Sequence, residues 1–320
     1  MLLSLVVTSK SCPLFTNHIV SALGTILTRL LGGCLRIADR MPAANGTLRN
    51  VERENAQMDF GLEGKVAVVG GASKGLGRAC ALGLAREGAR VVVCSRSVEN
   101  LTLAAREIAN ETGAEVVPVA SDLSTLDGVQ SLINQTVEHM GGLDIIVNNS
   151  GGPPAGTAEG ADEEAWAQAI QMSLLFFARM SREAVPLMRE RGGGRIINIF
   201  ASSIKQPIEN LVLSAATRMG ALGYSKTLAD EVAKDGILVN NVAPGYLLTD
   251  RMMEVIHHRG DATGADYEEA MADLTGMIPM GRIGRPEELA NLVVFLASDA
   301  ASYITGATIQ VDGGVIRSMI

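Results

Sequence analysis

From Lys65 onward the sequence predicts a doubly wound α/β fold, a single domain on a parallel sheet of seven strands, and three observations carry that expectation. Short Val/Ile-rich runs recur at regular intervals, helix-length amphipathic stretches separate them, and some runs are apolar without alternation. Val91-Val92-Val93 is the clearest of these. A strand that is apolar at every residue has both faces buried, as in a parallel sheet covered by helices on each side. Right-handed crossovers between such strands put a ligand beyond their carboxyl ends.

The elements follow in order. Strands are expected at Lys65–Val69, Arg90–Cys94, Glu115–Val119, Asp144–Asn148, Arg195–Phe200, Leu238–Val242 and Thr308–Val311. Helices are expected at Gly77–Glu87, Val98–Thr112, Leu126–Met140, Glu163–Arg191 and Leu213–Lys234. Gly88, Gly113 and Gly141 fall where a helix needs a left-handed residue to stop. The polar segment Thr249–Gly276, with Gly260 and Gly264, reads as a substrate lid, the plainer alternative being a surface helix pair. No repeat and no Pro/Ser-rich linker follows Met58, so residues 58–320 form one domain.

Composition narrows the function classes. The chain has 320 residues, 3% of them aromatic, and a formal charge of −8, which argues against a dedicated nucleic-acid binder. Arg29 interrupts the longest apolar candidate, Ile19 to Ala38, so no membrane span is expected. Residues 1–57 differ from the rest: six Lys+Arg stand against three Asp+Glu, leaving the remainder with 21 against 32. The favoured reading is an N-terminal extension from a start placed upstream of a natural first residue, Met58. An acid-poor amphipathic leader for organelle import is the second reading, and a signal peptide the weakest. The corresponding location is cytoplasmic, or an organelle if the leader is real. Cys12, Cys34, Cys80 and Cys94 have no C-x-x-C spacing and the four His form no ligand pattern, so no metal is expected.

Chemistry enters at Gly70-Gly71-Ala72-Ser73-Lys74-Gly75-Leu76-Gly77, directly after the first strand. A Gly-rich turn from strand to helix lets backbone approach a pyrophosphate and aims helix N–H groups at it. Gly71, Ser73, Lys74, Gly75, Leu76 and Gly77 are therefore candidate cofactor-binding residues. Their glycine spacing, G-x-x-x-G-x-G, differs from G-x-G-x-x-G. The second strand ends Cys94-Ser95-Arg96, where an NAD site has an acidic residue for the ribose hydroxyls. Ser95 stands there instead, and the Arg96 guanidinium suits a 2′-phosphate, with Lys74 nearby. NADP(H) is expected over NAD(H); the plainer reading of Lys74 and Arg96 is two solvated cations.

These residues resemble the short-chain dehydrogenase/reductase family. Ser121-Asp122-Leu123, Asn148-Asn149-Ser150-Gly151, Asn241-Val242-Ala243-Pro244-Gly245, Gly281 through Glu288, Ile304-Thr305-Gly306 and Val311-Asp312-Gly313-Gly314 match its landmarks in order. The match is nearest to the 3-oxoacyl-(acyl-carrier-protein) reductase-like branch, and the opening from Met58 also looks like the family's usual start. The resemblance implies a Rossmann sheet, with Asp122 by the adenine ring and Asn149 by the ribose. Leu123 and Gly151 are taken with them as cofactor-binding positions. The loop from Pro244 and Gly245 through Leu247 to Thr249 would meet the nicotinamide carboxamide. A homo-oligomer, tetramer or dimer, through the long helices is also implied.

The family's reaction uses Asn, Ser, Tyr and Lys, and all four positions depart here. Registration on Gly223 puts Ser214 at the Tyr position and Arg218 at the Lys position. Counting back thirteen residues from Ser214 lands on Ala201, with Ser202 and Ser203 adjacent, and Ser173 stands where the family has Asn. Reduction of a carbonyl needs a proton for the developing alkoxide. A Tyr near pKa 10 can be tuned to supply it, but a serine hydroxyl is far too weak an acid. Arg218 stays charged and can hold the ribose or polarise an oxygen. Tyr224 lies ten residues past Ser214, about 280° around the helix, and reads as a packing residue. Tyr246 and Lys205 remain as candidate donors, against the plainer readings of a pocket wall and a solvated loop.

Two functions from different classes fit. One is an NADP(H)-dependent oxidoreductase reducing a carbonyl in a small or acyl-linked substrate: Ser202 orients the oxygen, Arg218 holds the cofactor ribose or polarises that oxygen, and Tyr246 or Lys205 gives the proton. The other is an NADP(H)-binding protein without catalysis, acting as a sensor or subunit partner. NADPH consumption against acyl-thioester ketones, diketones, quinones and sugars discriminates them.

Overall fold

The computed structural model describes residues 59–319, with the side chains of 258–263 excepted. The readings of residues 1–57, and of Cys12, Cys34 and His18 within them, lie outside the described residues. The chain separates into Met1–Gln57 and Met58–Ile320, and the second contains every described residue.

Seven parallel strands form one sheet in the order β3-β2-β1-β4-β5-β6-β7: β1 Val66–Gly70, β2 Arg90–Ser95, β3 Val116–Ala120, β4 Ile145–Asn148, β5 Gly194–Ile199, β6 Ile237–Pro244 and β7 Thr308–Val311. The register is in line, with Val68 opposite Val92 and Ile146. Side chains alternate between two cores. Ala67, Val69, Val91 and Val93 face one side, packed by α1 (Gly75–Arg86), α2 (Val98–Thr112) and α9 (Pro286–Ala297). Val66, Val68 and Val92 face the other, packed by α3 (Leu126–Met140), α5 (Phe176–Glu190) and α6 (Val212–Val232). Val91, Val92 and Val93 are fully buried, each worth roughly 1.5–3 kcal/mol on transfer from water. This two-sided burial is what makes the run read as continuously apolar.

A chain of buried amides ties the middle of the sheet to α6. Asn148 Nδ2 donates to Asn198 Oδ1 at 2.9 Å, Asn198 Nδ2 to Asn241 Oδ1 at 3.0 Å, and Ser225 Oγ to Asn241 Oδ1 at 2.6 Å. Strand order reverses between β1 and β4, so the crevice beyond their carboxyl ends is the switch point of the fold.

Several boundaries differ from the sequence expectation. The helix expected at Glu163–Arg191 is interrupted: α4 (Glu163–Ile170) runs through a π turn at Gln171–Leu175 into α5. The Phe176 N–H reaches back to the Gln171 carbonyl, and Ser150 Oγ donates to the Met172 carbonyl at 3.0 Å. A π turn adds a residue without changing the amphipathic pattern, so periodicity passes over it. The first helix starts at Gly75 instead of Gly77, because Gly75 at φ +59° already turns the chain into it. Thr249–Gly276, read as a lid or a surface helix pair, contains two helices, α7 (Asp250–Thr263) and α8 (Tyr267–Gly276). Asp266 and Glu269 form a reciprocal capping box that starts the second. No helix among the described residues is long and apolar enough to cross a membrane.

Candidate active site

Three glycines shape the phosphate loop for different reasons. Gly71 takes φ +59°, and a Cβ on it would meet Asn149 Nδ2 at 2.7 Å. Gly75 is also left-handed and lies against Thr249. A Cβ on Gly77 would lie 2.4 Å from the Gly71 carbonyl oxygen, so only hydrogen lets α1 begin this close to the loop. Asn149 Nδ2 donates to the Gly70 carbonyl at 3.1 Å, fixing the loop against the end of β4. The N-cap, Lys74, gives no side-chain hydrogen bond, and the first turn of α1 has no acidic residue. Its N–H groups thus face the crevice without a side-chain cap, the arrangement that takes an anion. Ser73 is on the same turn, while Leu76 packs into the core beneath it.

Beyond the ends of β2 and β3 lie Ser95, Arg96, Asp122 and Leu123. Asp122 Oδ1 accepts from the Ser124 N–H at 3.0 Å and the Ser124 hydroxyl at 2.8 Å. Those bonds hold its carboxyl below the usual range, with a smaller contribution from the Arg96 charge. Arg96 is exposed and forms no ion pair among the described residues. Ser95 Oγ donates to the Ser97 carbonyl at 3.5 Å, and Leu123 Cδ1 lies 3.4 Å from where Gly70 would carry a Cβ. Lys74 pairs with Asp250 at 3.3 Å, which brings the first turn of α7 beside the phosphate loop. On the opposite wall Gly245 N donates to the Val311 carbonyl at 3.0 Å. Pro244 ends β6, Leu247 is buried, and Thr249 Oγ1 accepts from Met252 N at 3.3 Å. The crevice fits a dinucleotide: small residues where backbone must approach, helix N–H groups for a pyrophosphate, and an unpaired guanidinium at the far end of β2.

A second cluster sits where β5, α6 and the loop after β4 meet. The turn after β5 is a short 3-10 helix, Ser202–Ile204, which directs Ser203 inward. Ser203 Oγ is 3.4 Å from Ser214 Oγ in the first turn of α6, and Arg218 Nη1, one turn on, donates to Ser214 Oγ at 2.6 Å. Arg218 Nη2 reaches the Gly151 carbonyl at 3.5 Å. Arg218 is only 6% exposed, and no carboxylate pairs with it among the described residues. Burial, and then the charge of Arg251, push its pKa down to about 10. Its Nε has no hydrogen-bond partner in the structure, nor has Ser173 Oγ, which is buried on the π turn packed against α6. The loop is anchored farther on by Gly156 N, which donates to the Asn210 carbonyl at 2.8 Å.

The other sequence candidates lie as follows. It is Ser203, not Ser202, that meets Ser214; residue counting leaves the two serines adjacent, and only the turn decides between them. Lys205 closes the same turn, partly buried, with no side-chain partner among the described residues. Tyr246 packs with Met252, Tyr267 and Ile283 against α7 and α8. Tyr224 donates to the Ala178 carbonyl at 3.3 Å, and burial raises its pKa, in keeping with a packing role. Sequence reasoning missed Arg251, whose guanidinium approaches Gly152 alongside that of Arg218. No spacing pattern marks it.

Fold and crevice together define a dinucleotide-binding α/β protein with a polar cluster beside the cofactor's expected position. A family model described as enoyl-(acyl carrier protein) reductase matches residues 71–316. The 3-oxoacyl-[acyl-carrier-protein] reductase of Escherichia coli is 36% identical over 253 residues, covering 79% of this chain and 98% of that protein. L-sorbose reductase from Gluconobacter frateurii, solved with NADPH and L-sorbose, superposes with a TM-score of 0.79 at 37% identity, covering 82% of this chain and 100% of that one. The actinorhodin polyketide ketoreductase, solved with NADPH, gives 0.76 at 33% identity over 79% of this chain and 97% of its own. The chain belongs to the short-chain dehydrogenase/reductase family.

Proposed function

We propose that the chain is an NADP(H)-dependent oxidoreductase that reduces a carbonyl in a small or acyl-linked substrate, with a buried arginine at the heart of an atypical site. One observation carries the reading: the Arg218 guanidinium, buried without a carboxylate, donates to Ser214 Oγ at 2.6 Å while Ser203 Oγ lies 3.4 Å beyond. The relatives solved with NADPH support the cofactor, and unpaired Arg96 at the end of β2 supports its phosphorylated form.

Bound in the crevice, the nicotinamide supplies the hydride. The chain does the rest. The first turn of α1 holds the pyrophosphate and Arg96 the 2′-phosphate. The Ser203 and Ser214 hydroxyls donate to the substrate's carbonyl oxygen and fix its angle. Arg218 stabilises the negative charge that grows on that oxygen, in a site shielded enough for the cation to act strongly. With its pKa pushed down only to about 10, Arg218 remains a cation at neutral pH. The proton comes from the Lys205 ammonium on the turn that carries Ser203, so the carbonyl carbon gains hydride, the oxygen gains a proton, and an alcohol leaves. Self-association through α4, α5 and α6 belongs to the same proposal, supported by the exposed Ile170 and Met219.

The experiment is NADPH consumption by the full-length protein against acyl-thioester ketones, diketones, quinones and sugars. Saturable turnover of at least one class is expected, with Lys205→Met lowering kcat about 100-fold. Tight NADPH binding without turnover of any class overturns catalysis in favour of a non-catalytic NADP(H)-binding protein.

A further inference from the structure

Arg218 and Arg251 approach the same point from different elements. The position a Cβ would take on Gly152 lies 3.7 Å from Arg218 Nη1, 3.8 Å from Arg218 Nη2 and 3.8 Å from Arg251 Nη2. Like charges this close repel, and the repulsion is one reason for the depressed pKa of Arg218. An anion bound between the two guanidinium groups would offset that repulsion through charge-assisted bonds. Here neither arginine has an ion pair among the described residues, and the nearby Asp250 is engaged by Lys74. Arg218 is nine-tenths buried and its Nε has no partner, whereas Arg251 is exposed, so the pair joins a fixed interior cation to one at the mouth of the site. A carboxylate accepts charge-assisted bonds at about 2.8 Å on each oxygen, which is the reach needed to bridge two nitrogens both within 4 Å of one point.

We infer that the substrate carries its own anionic group, a carboxylate, and that Arg218 and Arg251 clamp it against the glycines at 151 and 152. The inference rests on the reductase reading for where the substrate lies. It narrows that reading to oxo acids, in which the carboxylate is close to the carbonyl undergoing reduction. Gly152 belongs to the clamp by having no side chain. Its φ is not left-handed and a methyl group there would make only ordinary contacts, so nothing in the fold requires glycine. A methyl group would nonetheless stand where the carboxylate is to sit.

The test uses full-length protein saturated with NADPH. Calorimetric titration with oxamate reads the anion site, and kcat/KM for 2-oxopentanoate against its methyl ester reads discrimination. Loss of one charge-assisted bond should weaken oxamate about tenfold or more in Arg251→Gln, and the acid-to-ester ratio should fall toward one. Arg251→Lys should recover part of both, and Gly152→Ala should reproduce the loss with no fall in melting temperature. Equal weakening of oxamate and NADPH in Arg251→Gln would assign the guanidinium to a cofactor phosphate and overturn the inference. So would an acid-to-ester ratio that Arg251→Gln and Gly152→Ala both leave unchanged. Arg251-dependent oxamate binding without turnover of any substrate would retain the anion site and refute the reductase reading. Turnover with oxamate binding indifferent to Arg251 would do the reverse.

Discussion

Replacing Arg218 with Met should stabilise the fold while disabling the reaction. The guanidinium is 6% exposed, and burial, then the nearby Arg251, push its pKa down to about 10 from the ordinary guanidinium range. At 1.36 kcal/mol per pKa unit, keeping the cation costs about 3 kcal/mol. The sign follows from proton counting. Between pH 10 and the ordinary guanidinium range the unfolded chain holds a proton that the folded one has lost, so stability rises with pH only in that window. At pH 7 both states are protonated and the whole cost is present. Met removes it but also removes the charge-assisted bond to Ser214, worth about 1.5–3 kcal/mol, while the 3.5 Å contact with Gly151 adds little. The net gain is about 0.5–2 kcal/mol, a rise of roughly 1–8 °C in melting temperature for a domain of this size. Urea unfolding at several pH values from 6 to 9 should show a gain of constant size, while NADPH oxidation falls about 100-fold or more. A variant less stable than the parent by 2 kcal/mol or more would mean that the cation is compensated in the fold, and the reasoning would fail.

Other outcomes follow from the same geometry. Arg96→Ala should weaken NADPH by about tenfold and NADH little, measured by fluorescence titration; equal losses would contradict a 2′-phosphate role. Cys80 and Cys94 are buried and burial pushes both thiols up to about 12. Peptide mapping after a thiol reagent at pH 8 should find them unmodified until urea is added, and rapid native labelling would contradict their burial. A chain beginning at Met58 should melt and bind NADPH as the full chain does; a lower melting temperature would make residues 1–57 structural.

The sheet was legible because its strands are buried on both faces, so Val66–Gly70 and Arg90–Ser95 read as apolar runs without alternation. Boundaries were legible where a residue type forces them, as Gly113 and Gly141 do in the left-handed region. The π turn at Gln171–Leu175 was not, since one added residue leaves composition and amphipathicity intact. The helix pair after Thr249 was legible as the plainer alternative to a lid, and Asp266 and Glu269, three residues apart, which form the capping box of α8, mark its second helix. At the site, the family resemblance, registered on Gly223, brought Ser214 and Arg218 into view, and the register holds because all three lie on one regular helix. Ser203 and Arg251 were not legible in the same way. Ser203 is aimed by an irregular turn, and Arg251 arrives from another element through tertiary packing.

The central claim is that this chain moves a hydride through a site built on Ser203, Ser214 and Arg218, with no tyrosine among the three. Mass spectrometry of products formed from NADPH deuterated at the transferable position tests it most directly. The account predicts one deuterium on the carbon of the former carbonyl, formed by the native chain and reduced about 100-fold or more by Arg218→Met. Full NADPH binding with no labelled product from any carbonyl substrate would contradict it.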